Sequence, residues 1–175
     1  YAVGMGWIPS NPMTSVKKPS ARRTKEMTVW GADEVAAFLS ATESHPLSVL
    51  FRLALYTGAR RGELLGLRWG DVDLGRGRLA IRQNLVLVDG VPTFGTPKSH
   101  EARTVDLDES TVTVLRRWQS DQHDQLDGLK PFGDLVFTRA DGSPLRPDTV
   151  SWWFRKAVEE STVHRRISFH EMRHT

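Results

Sequence analysis

The feature that most constrains this chain is a change of hydrophobic period along it. Between Asp33 and Tyr56 apolar residues recur at helical spacing, with Val35, Phe38 and Leu39 on one face and a more apolar segment from Leu47 to Tyr56 behind them. From Leu79 the period drops to two. Leu79, Ile81, Leu85 and Leu87 mark extended chain, Asp89-Gly90 is a hairpin turn, and Arg103 to Leu107 supplies another strand after the turn around Pro97 and Ser99. Helical spacing returns after Asp108, where Val112, Leu115 and Trp118 face inward. It returns again after Pro147, where Val150, Trp153, Phe154, Ala157 and Val158 make a stripe whose aromatic residues are expected in the core. The expected fold is therefore α+β, mainly helical, with a small three-stranded antiparallel sheet at one side.

Punctuation residues refine this outline. Gly58 is placed to end the second helix in a left-handed cap, and a short third helix fits Arg61 to Leu65. Ser168 with Glu171 makes a capping-box signature for a new helix, which the chain carries only as far as Arg173, His174 and Thr175. A helix begun and left unfinished suggests a truncated domain. At the other end, Tyr1 to Glu26 holds Pro9, Pro12 and Pro19 and the basic residues Lys17, Lys18, Arg22, Arg23 and Lys25, which is linker composition. The apolar piece through Trp7 and Ile8 reads either as the end of a helix from an earlier domain or as a solvated tail. The division is thus 1–26 and 27–175.

Composition excludes several classes. At 39% hydrophobic and 26% charged residues the chain has globular proportions. No apolar run approaches the roughly 18 residues that span a bilayer, and no charged-then-apolar signal opens the sequence, so a cytoplasmic protein without membrane contact is expected. The absence of cysteine excludes disulfides, thiolate metal sites and a thiol nucleophile. A net charge of +3 is only mildly basic, but arginine far outnumbers lysine, and the guanidinium fork suits bidentate contact with phosphate.

Three polar segments could carry chemistry. In Thr57-Gly58-Ala59-Arg60-Arg61-Gly62-Glu63-Leu64 an arginine pair follows a helix end, and Glu63 lies one turn from Arg60, where it can orient that guanidinium or form an ordinary surface ion pair. In Thr96-Pro97-Lys98-Ser99 a turn lysine can donate a proton to a leaving oxygen or be simply solvated. In His170-Glu171-Met172-Arg173-His174 the i, i+3 spacing puts His170 and Arg173 on one face, a proton carrier beside a fixed cation. A metal pair from His170 and His174 is a poor reading, because Arg173 between them would repel a cation.

The ordered combination is more specific than its parts. Thr-Gly-x-Arg-x-Gly-Glu-Leu after an apolar helix, a turn lysine, then His-x-x-Arg-His-Thr, with the flanks Leu67-Arg68-Trp69-x-Asp71 and Arg103-Thr-Val-Asp-Leu107, resembles the tyrosine recombinase family of phage integrases. The resemblance covers nearly the whole chain. It implies that 1–26 is the end of a core-binding domain with a basic interdomain linker, in which Lys17, Lys18, Arg22 and Arg23 touch DNA, and that 27–175 is a C-terminally truncated catalytic domain. It makes Arg60 and Arg173 the phosphate clamp, Lys98 the donor to the departing 5′ oxygen, His170 an aid to proton transfer, and Glu63 a supporting acid. Arg61 in place of Arg60 is the less common alternative. The family's nucleophilic tyrosine follows the His-x-x-Arg segment. Here the tyrosines are Tyr1 and Tyr56 alone, and Tyr56, in an apolar helix, is expected to be packed.

The implied partner is double-stranded DNA, the implied reaction transesterification through a 3′-phosphotyrosyl link, with no cofactor and no metal. Relatives of this kind work as homotetramers on two DNA sites, and a monomer is compatible with a fragment lacking the exchanging segment. Two rival readings stay open: a non-catalytic DNA-binding regulator with the same fold, and a type IB topoisomerase-like enzyme.

Overall fold

The computed structural model of the protein describes residues 2–16, 28–96 and 102–175. Its helices are α1 (Ala32–Ala41), α2 (Ser48–Thr57), α3 (Arg61–Leu65), α4 (Glu109–Gln125) and α5 (Pro147–Glu160). Its strands are β1 (Val72–Asp73), β2 (Arg78–Ile81), β3 (Asn84–Val88), β4 (Val91–Gly95) and β5 (Arg103–Asp106). Single 3-10 turns occur at Pro12–Ser15, Trp69–Asp71, Phe132–Asp134 and Glu171–His174.

The helices begin and end where side chains satisfy their free backbone groups. The Glu34 carboxylate accepts from the Gly31 N–H at 2.9 Å at the start of α1, and Asp108 accepts from the Thr111 N–H at 2.9 Å at the start of α4. Gly58 closes α2 in the left-handed region at φ 59, where only glycine sits without strain, and its N–H returns to the Ala54 carbonyl. α1, α2 and α5 then bury one aromatic cluster. Trp30, Phe38, Phe51 and Phe154 have ring centroids between 5.0 and 6.1 Å apart, and each is nearly inaccessible to solvent.

The expected small sheet is divided in two. β2 lies between β1 and β5, antiparallel to both, with Leu79 opposite Val105 and Ile81 opposite Arg103. β3 and β4 form a separate ribbon, closed by Asp89 at φ 49 and Gly90 at φ 79, the conformations a two-residue hairpin turn needs. The ribbon leaves the sheet because it packs on α3. A Cβ built at Gly62 would sit 2.8 Å from the Leu85 carbonyl oxygen, and one at Gly66 would sit 3.1 Å from the Asn84 backbone. The Gln83 amide also donates to the Gly66 carbonyl at 2.7 Å. Two glycines one helical turn apart thus admit a strand where any larger residue would hold it off.

Three expectations need correction. On α5, Val150, Phe154, Ala157 and Val158 are buried as the spacing requires, but Trp153 is 41% exposed, on the shoulder of the stripe, edge-on to Trp152 and to His45. Tyr56 is not packed: it is 51% exposed, with the Arg52 guanidinium 4.9 Å from its ring centroid. Arg52 is itself tied to Ser110 and Thr111 at the start of α4, so the cation is fixed over the ring and the ring is left at the surface. Residues 2–10 form turns and bends rather than a helix end, with Trp7 68% exposed, and Asn11 caps the 3-10 turn at Pro12–Ser15 by accepting from the Met13 N–H.

Candidate active site

Arg60 is the residue that caps α3, in extended conformation at φ −69 and ψ 150, and its own N–H is one of the donors that a helix start leaves unpaired. Glu63 satisfies it. Its Oε2 accepts from the Arg60 N–H at 2.8 Å while its Oε1 accepts from the Arg60 Nη1 at 2.8 Å, so one carboxylate fixes both ends of the same residue. Arg103, on β5, then closes on the other side, its two Nη groups donating to the two oxygens at 3.1 and 2.7 Å. The Glu63 side chain is only 1% exposed, whereas those of Arg60 and Arg103 are 37% and 35% exposed. Burial pushes this carboxyl up, but the hydrogen bonds from Arg103 and from the Arg60 backbone and side chain outweigh it and hold the group at about 2. Glu63 is an ionised, fully engaged anchor at neutral pH.

The other end of the chain returns to this place. Trp30 donates from its indole Nε1 to the Arg165 carbonyl at 2.6 Å and from its backbone to Thr175 Oγ1 at 3.4 Å, which draws the last residues along the aromatic core. Ser168 and Glu171 make the expected reciprocal cap, the Ser168 N–H donating to Glu171 Oε2 at 2.6 Å and the Glu171 N–H to Ser168 Oγ at 3.4 Å. The cap opens a single 3-10 turn, Glu171–His174, rather than an α-helix. Residues three apart eclipse one another in such a turn, so His170 and Arg173 still share a face. Met172 between them is completely buried.

Arg60, His170 and Arg173 line one cavity of about 710 Å³, between α3, α5 and the C-terminal segment. Arg61, Arg155 and Arg166 line it as well, against the carboxylates of Glu159 and Glu171. Glu159 pairs with Lys156 at 3.3 Å and, within the lining, with Arg166 at 3.8 Å, and Glu171 is engaged in its cap. Arg61 donates to Ser151 on α5, and Arg173 makes no ion pair among the described residues. The walls therefore carry more arginines than carboxylates even with Arg166 paired to Glu159, a setting that favours an anion and disfavours a metal cation. Tyr56 is not among the lining residues. Lys98 and the linker residues Lys17, Lys18, Arg22 and Arg23 lie outside the described residues.

The structure adds Arg103 to the residues singled out as chemical from the sequence. Its place in Arg103-Thr-Val-Asp-Leu107 marked it as a flank, and only the antiparallel pairing of β5 with β2 brings it to Glu63. An arginine on a strand edge carries no local signal of the carboxylate it will meet.

The model of the phage integrase family matches residues 29–175. A XerC-like tyrosine recombinase of Caldanaerobacter subterraneus subsp. tengcongensis is 28% identical over 196 residues, covering 100% of this chain and 50% of that protein. The ICEBs1 integrase of Bacillus subtilis is 26% identical over 170 residues, covering 94% of this chain and 46% of that protein. This chain spans about half the length of these curated relatives. Among solved structures, the Tn1549 transposon integrase in complex with transposon right end DNA superposes with a TM-score of 0.77 at 21% identity, over 96% of this chain and 58% of that one. The XerA recombinase superposes with a TM-score of 0.69 at 20% identity, over 92% and 53%. Because the matched segment runs from just before α1 through the 3-10 turn that carries Arg173, and takes in the cap at Arg60 and the whole cationic cavity, the chain belongs to the phage integrase family.

Proposed function

We propose that this chain is the catalytic body of a site-specific recombinase that cuts and rejoins duplex DNA by transesterification at phosphate. One observation carries the reading: Arg60 and Arg173, more than a hundred residues apart, face one cavity with His170, the first aimed by a buried carboxylate and the second without an ion-pair partner among the described residues. Two preorganised guanidinium forks suit the equatorial oxygens of a pentacoordinate phosphorus, where negative charge gathers, and they stabilise it without a metal.

In this mechanism a tyrosine hydroxyl attacks the phosphorus and loses its proton, the bond to the 5′ oxygen breaks, and Lys98 supplies the proton that the departing oxygen takes up. One phosphoester bond forms for each that breaks, giving a 3′-phosphotyrosyl link and a free 5′ hydroxyl, so the strand is rejoined by the reverse step without a nucleotide cofactor. His170 holds a phosphate oxygen and assists proton transfer, and Glu63 positions Arg60. The attacking tyrosine is assigned to no residue here, since neither Tyr1 nor Tyr56 stands in the sequence context that would supply it. Residues 1–26 serve as the end of a core-binding domain and a basic linker, with Lys17, Lys18, Arg22 and Arg23 on the DNA backbone, and 27–175 as the catalytic domain. The lambda integrase has been seen as a tetramer bound to a Holliday junction, and a homotetramer on two DNA sites is the working assembly proposed for the complete enzyme. No helix among the described residues is long and apolar enough to cross a membrane.

Fluorescence anisotropy with labelled duplex tests the reading. Affinity is expected to fall with salt by a log–log slope of about −0.9 for each phosphate neutralised, and Arg60→Ala and Arg173→Ala are each expected to flatten that slope by about one such step. A salt-insensitive association, or variants that bind like the wild type, would sink the phosphate-clamp assignment.

A further inference from the structure

We infer that Arg103 is a positioning residue whose charge keeps Arg60 available to the phosphate; the inference rests on the phosphate-clamp reading above. Glu63 offers four acceptor positions, two on each oxygen, and all four are filled: Oε1 by the Nη1 groups of Arg60 and Arg103, Oε2 by the Arg60 N–H and the Arg103 Nη2. The orientation of the carboxylate is thereby fixed in two planes, since Arg103 is on β5 and Arg60 on α3.

Charge matters more than geometry here. A lone Glu63 paired with Arg60 would be a closed, neutral couple, and an arginine neutralised by its own anchor attracts a phosphate weakly. With Arg103 added, the triad carries two positive charges against one negative charge, and Arg103 answers the carboxylate while Arg60 keeps its own charge. Arg60 gives only its backbone N–H and Nη1 to Glu63, so its other guanidinium donors are not claimed by the anchor, and Arg60 lines the cavity that Arg173 and His170 share. Other charges near Glu63 do not duplicate this role. Arg61 is engaged with Ser151, Asp148 at the start of α5 is acidic, and β3 contributes no charged residue. Arg103 also stands five positions after Lys98, so the same contact ties the strand that follows the proposed proton donor to the helix start that carries the clamp.

The test is a titration of the 175-residue chain with inorganic phosphate at constant ionic strength, followed by the arginine side-chain Nε–Hε signals in a ¹H–¹⁵N spectrum, with those of Arg60 and Arg173 assigned by substitution. In the wild type both signals are expected to shift along one saturation curve. Arg103→Met should weaken binding at Arg60 about tenfold, the change expected for one partly screened unit charge. Arg103→Lys, which keeps the charge and loses the fork, should stay within about threefold of the wild type, and Arg103→Met with Glu63→Gln should recover part of the lost affinity, because the unanswered carboxylate is gone although the amide leaves one Arg60 donor without its acceptor. A folded Arg103→Met that binds phosphate like the wild type overturns the inference. So does a folded lysine variant about tenfold weaker than the wild type, or a folded double variant about tenfold weaker than the wild type, and these two comparisons stand even if Arg103→Met alone does not fold. A wild type whose Arg60 and Arg173 signals ignore phosphate instead sinks the clamp itself, which separates the two failures.

Discussion

Glu63→Gln removes one charge from a buried carboxylate and leaves its shape, so its effect on stability follows from the state of that carboxylate. A group held at about 2 in the folded protein, against an ordinary value of 4.5, contributes about 3 kcal/mol of stability at neutral pH, because each factor of ten in proton affinity is worth about 1.4 kcal/mol. The sign follows from the lowered value: the contribution is complete above about pH 4.5 and is lost as the pH falls toward 2. An amide cannot replace it, since its NH₂ would face an arginine donor where an oxygen now accepts. Urea unfolding followed by tryptophan fluorescence at several pH values would give the difference between wild type and variant. It should be about 3 kcal/mol near pH 7, a drop in Tm of roughly 6–12 °C for a domain of this size, and should shrink to roughly 1 kcal/mol by pH 2.5, where the unfolded-state carboxyl is already protonated and the folded-state group is starting to be. Asp108, also lowered, first by its Ser110 and Thr111 hydrogen bonds, is present in both proteins and cancels from the difference. A gap that stays constant from pH 7 to pH 2.5 would refute the claim that the Arg60–Glu63–Arg103 network is ionic.

Other substitutions probe separate parts of the structure. Gly62→Ala puts a Cβ 2.8 Å from the Leu85 carbonyl oxygen, backbone that cannot rotate away, and is expected to cost about 1–3 kcal/mol in thermal unfolding while loosening the β3–β4 ribbon in hydrogen exchange. Tyr56→Phe should change stability by less than about 0.5 kcal/mol, because the ring is half exposed and its contact with the Arg52 guanidinium needs only the aromatic face. Incubated with nicked, end-labelled duplex, the 175-residue chain is expected to give no denaturation-resistant protein–DNA band; a band lost in Tyr56→Phe would return that tyrosine to the chemistry.

The helices were legible because their signals are local. Gly58, Asp108 and Pro147 mark boundaries through their own backbone and side-chain chemistry, and the apolar stripe of α5 is buried at four of its five positions. Trp153 departs from the stripe because three-residue spacing from Val150 carries it to the edge of the buried face, where an indole finds partners in Trp152 and His45 instead of the core. Tyr56 departs because the helix it ends is covered on that side by Arg52, drawn away to α4 by contacts more than fifty residues distant. The split of the sheet was hidden for a similar reason. Alternation along β2, β3 and β5 shows that each is a strand, but which strands pair depends on the close approach of β3 to Gly62 and Gly66, and nothing in the strand itself records the helix beside it.

The same division between local and distant causes explains how two arginines more than a hundred residues apart in sequence can be held rigidly at one cavity. A four-residue 3-10 turn has little stability of its own. Glu171–His174 is held instead by its neighbours in the core: Met172 is fully buried, Ile167 and Phe169 are each 7% exposed, and Phe169 packs edge-on against Phe154 with centroids 5.4 Å apart. On the facing side, Gly58 ends α2 so close to this segment that an added Cβ would lie 3.5 Å from the Arg173 carbonyl oxygen. The guanidinium of Arg173 thus needs no ion pair to fix its backbone, and that of Arg60 is fixed by a carboxylate whose charge Arg103 answers. Positioning is supplied by packing on one arginine and by a compensated buried anion on the other, which lets both keep their charge in one cavity.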